Sequence, residues 1–202
     1  MQIRFVFAVF IVSLLGCSKD SSSTAPVEKP PETSSLQVAW KNFEEQHYDA
    51  AVVSFTEAYS KASTDAVRAE AIGGRGWAYA YERDFSSAKN DFVIALGFAG
   101  ITNAVRNDCR VGYAFVLHAL NDFAGAISFG GAVLSDQPSY VFSHDQRVTT
   151  KRVRLLLAQS YYAIGMFVSA ASQMDLVDPS GAPHSSDPPT LLGTILSALN
   201  SL

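Results

Sequence analysis

Residues 76–95, GWAYAYERDFSSAKNDFVIA, decide how the rest of the chain is read. Tyr79 follows Gly76 by three places, and Phe85 follows it by nine, opening the series Phe85-x-x-Ala88-x-x-x-Phe92-x-x-Ala95. Steps of three and four between apolar positions belong to helices, whereas strands alternate at every second residue. A small residue before the break and an alanine-aromatic stripe after it describe two helices in close contact. The small side chains let the backbones approach, and the aromatic fills the space beside them.

The same pattern recurs along the chain. Upstream it stands as Tyr48-x-x-Ala51-x-x-x-Phe55-x-x-Ala58; downstream it continues as Phe123-x-x-Ala126 with Val133, and as Phe167-x-x-Ala170 with Met174 and Val177. The anchoring aromatics are 37, 38 and 44 residues apart. Nine places before each stands a small residue: Ala39, Gly76, Ala114 and Ala158. Three places after that come Tyr79, Leu117 and Tyr161, with Asn42 in the first unit. The third unit has Gly130 where the second-helix aromatic belongs, with Phe129 adjacent, and the fourth ends in Asp178-Pro179.

This spacing resembles the tetratricopeptide repeat (TPR), over about residues 36–179. The resemblance implies an all-α solenoid of about four helix-turn-helix repeats. Residues 180–189 then read as a loop, and 190–202 as a C-terminal amphipathic helix that caps the last repeat. The physical logic agrees, because one helix pair cannot bury its own apolar faces and stacked pairs share a continuous core. The alternative is an irregular helical bundle with chance periodicity. The eight prolines, at 26, 30, 31, 138, 179, 183, 188 and 189, all fall outside the periodic segments. The longest connection, Ser135 to Arg147, leaves the docking of the fourth repeat open.

The first seventeen residues read as an address. A positive start ending at Arg4 leads into the uncharged run Phe5–Leu15, and then Gly16 and Cys17. Eleven apolar residues are too few to span a ~30 Å hydrocarbon core, and they match the hydrophobic region of a secretory signal. Leu14-Leu15-Gly16-Cys17 resembles a bacterial lipobox, with Leu15 where a smaller residue is commoner. The resemblance implies a lipoprotein signal peptide over 1–16, a diacylglyceryl group on the Cys17 thiol, cleavage before it, and a palmitate-type acyl chain on the new amino terminus. Ser18 is not the aspartate of the inner-membrane retention signal, which favours the outer membrane of the cell envelope. Residues 17–35 then form the lipidated cysteine and a Ser/Thr/Pro-rich tether with almost nothing to bury. With Cys17 acylated, Cys109 is left as the only free thiol, a small buried helix residue.

In the repeat family the first helix of each pair lines the concave side. Carried onto this chain, the positions beside the small residues are Trp40, Trp77, Phe115 and Gln159; one turn on come Phe43, His118 and Tyr162, with Tyr81 alongside. These eight are the candidate partner-binding residues. They form an aromatic groove suited to a peptide with large side chains. Aromatics at helical spacing also build cores, so each of the eight can be read either way. The C-terminal stripe of Leu192, Ile195, Leu196 and Leu199 has two readings as well: a cap, or a helix that folds back into the groove or docks on a partner.

Composition narrows the function classes. Apolar residues make up 48% and charged residues 17%, as in a folded globular chain. A net charge of −4 argues against nucleic-acid binding, which needs a basic surface. The histidines His47, His118, His144 and His184 lack zinc-ligand spacing, and no nucleophile elbow or phosphate loop is present. Gly73-Gly74-Arg75-Gly76 reads as close helix packing, Lys151–Arg154 as a solvated basic face or, alternatively, a contact for acidic lipid or a partner, and Ser143-His144-Asp145 as a loop. The expectation is a non-enzymatic, cofactor-free, metal-free lipoprotein scaffold that binds a protein or peptide partner in the envelope. Its alternative is a lipoprotein that captures a glycan or an apolar nutrient in the same groove.

Overall fold

The computed structural model describes residues 32–201. The signal peptide, Cys17 and most of the tether lie outside them. Eight helices form four consecutive hairpins: α1 (Glu32–Glu44) with α2 (Tyr48–Lys61), α3 (Asp65–Tyr81) with α4 (Phe85–Leu96), α5 (Asn103–Ala119) with α6 (Phe123–Asp136), and α7 (Thr150–Ala163) with α8 (Phe167–Val177). A ninth helix, α9 (Pro188–Asn200), follows. Each helix packs on the next, and the first helices also touch one another, α1 on α3, α3 on α5, and α5 on α7. Among the described residues the only β pairing is an isolated bridge between Val141 and Thr149.

The repeat is visible in the backbone. Each anchoring aromatic is the first residue of a second helix. Two places before each, the chain turns through the left-handed region, at Gln46, Arg83, Asn121 and Gly165. The intervening residue caps the helix where its chemistry allows: Asp84 accepts from the Ser87 N–H and Asp122 from the Gly125 N–H, whereas His47 and Met166 supply no side-chain bond. Thr64, Thr102 and Thr149 likewise cap α3, α5 and α7.

Packing follows the small-residue logic. The four small residues and the alanines Ala51, Ala88, Ala126 and Ala170 are all buried. Phe55 lies against Gly74 of the next repeat, and Phe92 lies against Gly112, the equivalent position one repeat on; a Cβ there would sit 2.4 and 2.3 Å from the respective rings. At the third junction large and small are exchanged. Gly130 replaces the phenylalanine, and Leu157 from α7 fills the space, 3.0 Å from where a Gly130 Cβ would stand. This exchange is how the fourth repeat docks despite its departure from the pattern. Cys109 is buried and unpaired as expected, its thiol packed against Gly73.

Two boundaries differ from the sequence reading. Helix α1 begins at Glu32, inside the expected tether. Helix α9 begins at Pro188, with prolines in its first turn and Asp187 accepting from Thr190 N–H and Oγ1 at 3.2 and 2.7 Å. It packs on α7 and α8, as a cap does. Its buried face is Leu191 and Ile195, whereas Leu192 and Leu196 are exposed. The expected stripe is thus turned by about one residue, since α9 meets only the last helix pair and the connection preceding it sets the angle of approach. That connection is held by His184, whose N–H and Nδ1 both contact Asp175 Oδ1, and by the Tyr162 hydroxyl donating to Pro188 O.

Candidate functional site

The concave face is not uniformly open. The connection between α6 and α7 folds into a finger and enters the part of the groove built by the first three repeats. Phe142 N–H donates to Val148 O at 2.9 Å, and Thr150 N–H to Tyr140 O at 2.8 Å. The finger thereby meets much of its own backbone hydrogen-bonding demand, which lets its tip be buried. Phe142 is fully buried: its ring stacks on Trp77 at 4.5 Å and meets Trp40 and Phe43 edge-on. His144 lies parallel to Trp40 at 3.6 Å and shares a hydrogen bond with Glu44 at 2.8 Å. Tyr140 is buried and donates to Asp108 Oδ1 at 2.7 Å.

Asp145 fastens the finger from its other side. It accepts from the Tyr81 hydroxyl and forms a fork with Arg147 at 2.7–3.2 Å. Partial burial works against the Asp145 carboxylate, but the bonds from Arg147 and Tyr81 outweigh it and hold its pKa down to about 2. Asp108 behaves oppositely. Burial pushes it up to about 6, and the Tyr140 hydrogen bond and nearby His144 offset only part of that rise.

Beyond the finger, a cleft of about 440 Å³ remains open between α3, α5 and α7. Phe115 and Val116 on α5 lie in its middle, with Trp77 and Tyr81 on one wall and Leu155 and Gln159 on the other. His118 also lines it, and burial depresses the pKa of its imidazole, which is therefore neutral at pH 7. The His118 Nδ1 lies 2.9 Å from the oxygen of Ser160, which is buried and gives its own proton to Leu156 O at 2.8 Å. Ser160 can then only accept from the ring, so Nδ1 carries the hydrogen and Nε2 is left as an acceptor.

The eight candidate residues therefore separate into three sets. Trp40 and Phe43 lie beneath the finger, and Phe43 is only 2% exposed, so the expected open aromatic groove does not extend across the first repeat. Trp77, Tyr81, Phe115, His118 and Gln159 border the cleft, although Trp77 is 4% exposed and is a core residue with one edge at the site. Tyr162 belongs to the cap, packed on Phe167 and bonded to Pro188. Sequence reasoning missed the finger residues Tyr140, Phe142 and His144 and the cleft residue Arg83, while the other cleft residues Arg152 and Leu199 belong to the basic run and the C-terminal stripe already named. The alternating Tyr140-Val141-Phe142 inside a connection that should be solvated was the available signal for the finger. Ser143-His144-Asp145 is a loop as expected, with His144 and Asp145 turned into structural pins.

Among the described residues no cluster of three His, Cys, Asp or Glu side chains could hold a metal ion, and no helix is long and apolar enough to cross a membrane. The chain is an all-helical solenoid of the tetratricopeptide kind. MamA, as the RS-1 ArsTM double mutant, superposes with a TM-score of 0.60 at 14% identity, covering 86% of this chain and 97% of that one. YrrB, described as a TPR protein with an unusual peptide-binding site, gives 0.59 at 18% identity, covering 82% and 85%. A putative kinesin light chain of Podosopora anserina with nearly identical TPR-like repeats gives 0.58 at 13%, covering 84% and 95%. No family profile and no curated protein matches the sequence.

Proposed function

We propose that this chain is a non-enzymatic scaffold of the bacterial cell envelope, held to the outer membrane by lipid on Cys17, that binds a segment of another protein in the cleft between α3, α5 and α7. The observation that carries the reading is the convergence of Trp77, Tyr81, Phe115, His118 and Gln159 on one open cleft. Their places in the repeat alone mark these residues, and the cleft's volume of about 440 Å³ falls in the range of ~300–1,000 Å³ typical of specific pockets. The likeness to YrrB, whose description names a peptide-binding site, supports a peptide as occupant. The lipobox-like Leu14–Cys17 supports the anchor.

The test places a photocrosslinking amino acid at Phe115, and for comparison at the exposed Val53 of α2, in the full chain within its native envelope. A discrete protein adduct from position 115 and not from 53 is expected. Equal adducts from both positions, or none from 115, would remove the groove. Metabolic labelling with palmitate tests the anchor separately, since label must be lost in Cys17→Ser.

A further inference from the structure

The terminal helix of a repeat stack must present a polar outer face, because no further repeat covers it. Helix α9 does not. Residues 188–202 contain no charged side chain, and Leu192 and Leu196 stand exposed on its outer side. The α7–α8 turn has the same character. Residues 155–174 are also uncharged, and Ile164, Met166 and Val168 are exposed there, Val168 at 71%. The Tyr162 bond to Pro188 O holds the start of α9 beside the end of α7 that leads into this turn. Six of the twelve exposed large apolar side chains among the described residues fall within 164–196, so half of them crowd into one end of the solenoid.

The equivalent turns of the other repeats are polar. They read Glu44-Glu45-Gln46-His47, Glu82-Arg83-Asp84 and Leu120-Asn121-Asp122, against Ile164-Gly165-Met166 in the fourth pair. Met166 stands where Asp84 and Asp122 cap their helices, so the fourth turn forgoes a cap in a backbone conformation that would accept one. A position that breaks a local stability rule, with no compensating gain inside the chain, points to a use outside it.

Charge decides what covers this end. An interfacial membrane face carries Lys or Arg beside its apolar stripe, and neither α9 nor the α7–α8 turn has one. A two-fold contact sets one patch against its own copy, so any charge near the axis meets its like. In a chain of net charge −4, an uncharged end is the surface on which two copies approach without that repulsion.

We propose that two copies of this chain pair through the outer face of α9 and the adjoining α7–α8 turn, burying Leu192, Leu196, Ile164 and Met166 across a two-fold axis. Each dimer carries two clefts and is bivalent for whatever occupies them. The pairing itself does not depend on the nature of that occupant.

The test uses the full chain in its native envelope, co-expressed with two different epitope tags and carrying Leu196→Cys. Cys109 is buried, so the wild-type chain supplies the baseline. A short bis-maleimide should join the two tagged forms in one band of twice the chain's mass, and Val53→Cys on the exposed side of α2 should not. Adding Leu192→Glu should lower the yield by at least about tenfold, since like charges then meet in an apolar contact. Adding Val53→Glu should leave it unchanged. Both positions are exposed, and circular dichroism should show the fold intact in each variant. No joint band, equal yields from 196 and 53, or a yield indifferent to Leu192→Glu would overturn the pairing. An adduct of another mass would assign the surface to a different protein, and quenching of a dye at position 196 by nitroxide-labelled lipids would assign it to the bilayer. Either result also overturns it.

Discussion

The ring of Phe142, in the finger between α6 and α7, lies nearly parallel to that of Trp77 in the second repeat, 4.5 Å away. This contact closes the N-terminal part of the concave face with the chain's own finger. The opening left for a partner is thereby confined to the ground between α3, α5 and α7. The finger is thus both a piece of core and the wall that sizes the site.

Phe142→Ala should cost about 3–5 kcal/mol, the range for emptying a buried aromatic position. Because Trp40 and Trp77 both touch Phe142, their fluorescence should shift to the red before the global transition. Chemical denaturation followed by fluorescence and by far-ultraviolet circular dichroism checks both. Coincident, unshifted transitions would mean that the finger is not packed as described.

Two cleft residues should separate fold from function. Trp77→Ala is expected to lose about 3–5 kcal/mol, since the side chain is buried and its Nε1–H donates to Asp108 O at 3.1 Å. Phe115→Ala, at a half-buried position, should leave the melting temperature nearly unchanged and abolish partner capture by a photocrosslinking amino acid placed at the neighbouring cleft residue Ala119. Melting curves and crosslinking on the two variants provide the comparison.

The carboxylates that pin the finger should together give stability a maximum near pH 4. The folded-state pKa of Asp108, about 6, lies above its ordinary value of 3.8, so its contribution is complete below 3.8 and is lost as pH rises through 6. Asp145, held down to about 2, contributes above 3.8 and is lost as pH falls through 2. Asp108→Asn, which keeps an acceptor for Tyr140, should therefore be more stable than wild type at pH 7 and lose that advantage by pH 4. Melting temperatures across pH 2–8 for wild type, Asp108→Asn and Asp145→Asn decide it.

Helix α8 lacks the side-chain cap that α4 and α6 possess. Met166 has φ −87° and ψ 63°, close to the −80° and 74° of Asp84, and its side chain is exposed. Met166→Asp should add about 1 kcal/mol by accepting from the Ser169 N–H. Urea denaturation with an unchanged slope and a higher midpoint is the expected result.

At the second junction, Gly112→Ala should cost about 1–3 kcal/mol, because the new methyl would press on Phe92. Phe92→Leu made in the same chain should return part of that loss. Additive losses in the double variant would show that the two positions are not packed against each other.

The repeat was legible because its signals are local. Small residues, anchoring aromatics and their alanines recur at helical spacing, and each acts within one hairpin or on its immediate neighbour, as Phe55 does on Gly74. Periodicity therefore determined the all-α class, the four pairs, the helix that follows them, and the face on which to look for a partner. It could not determine which part of that face is filled. The finger meets residues far from it in sequence: His144 bonds Glu44 from 100 positions away, and Tyr81 reaches Asp145 across 64. Such contacts carry no period, since they depend on how the stacked helices curve toward the connection between α6 and α7. The same holds for Arg83 and Arg152, each an ordinary surface arginine in sequence. Tertiary structure alone sets them on opposite walls of one cleft, both without a carboxylate partner among the described residues.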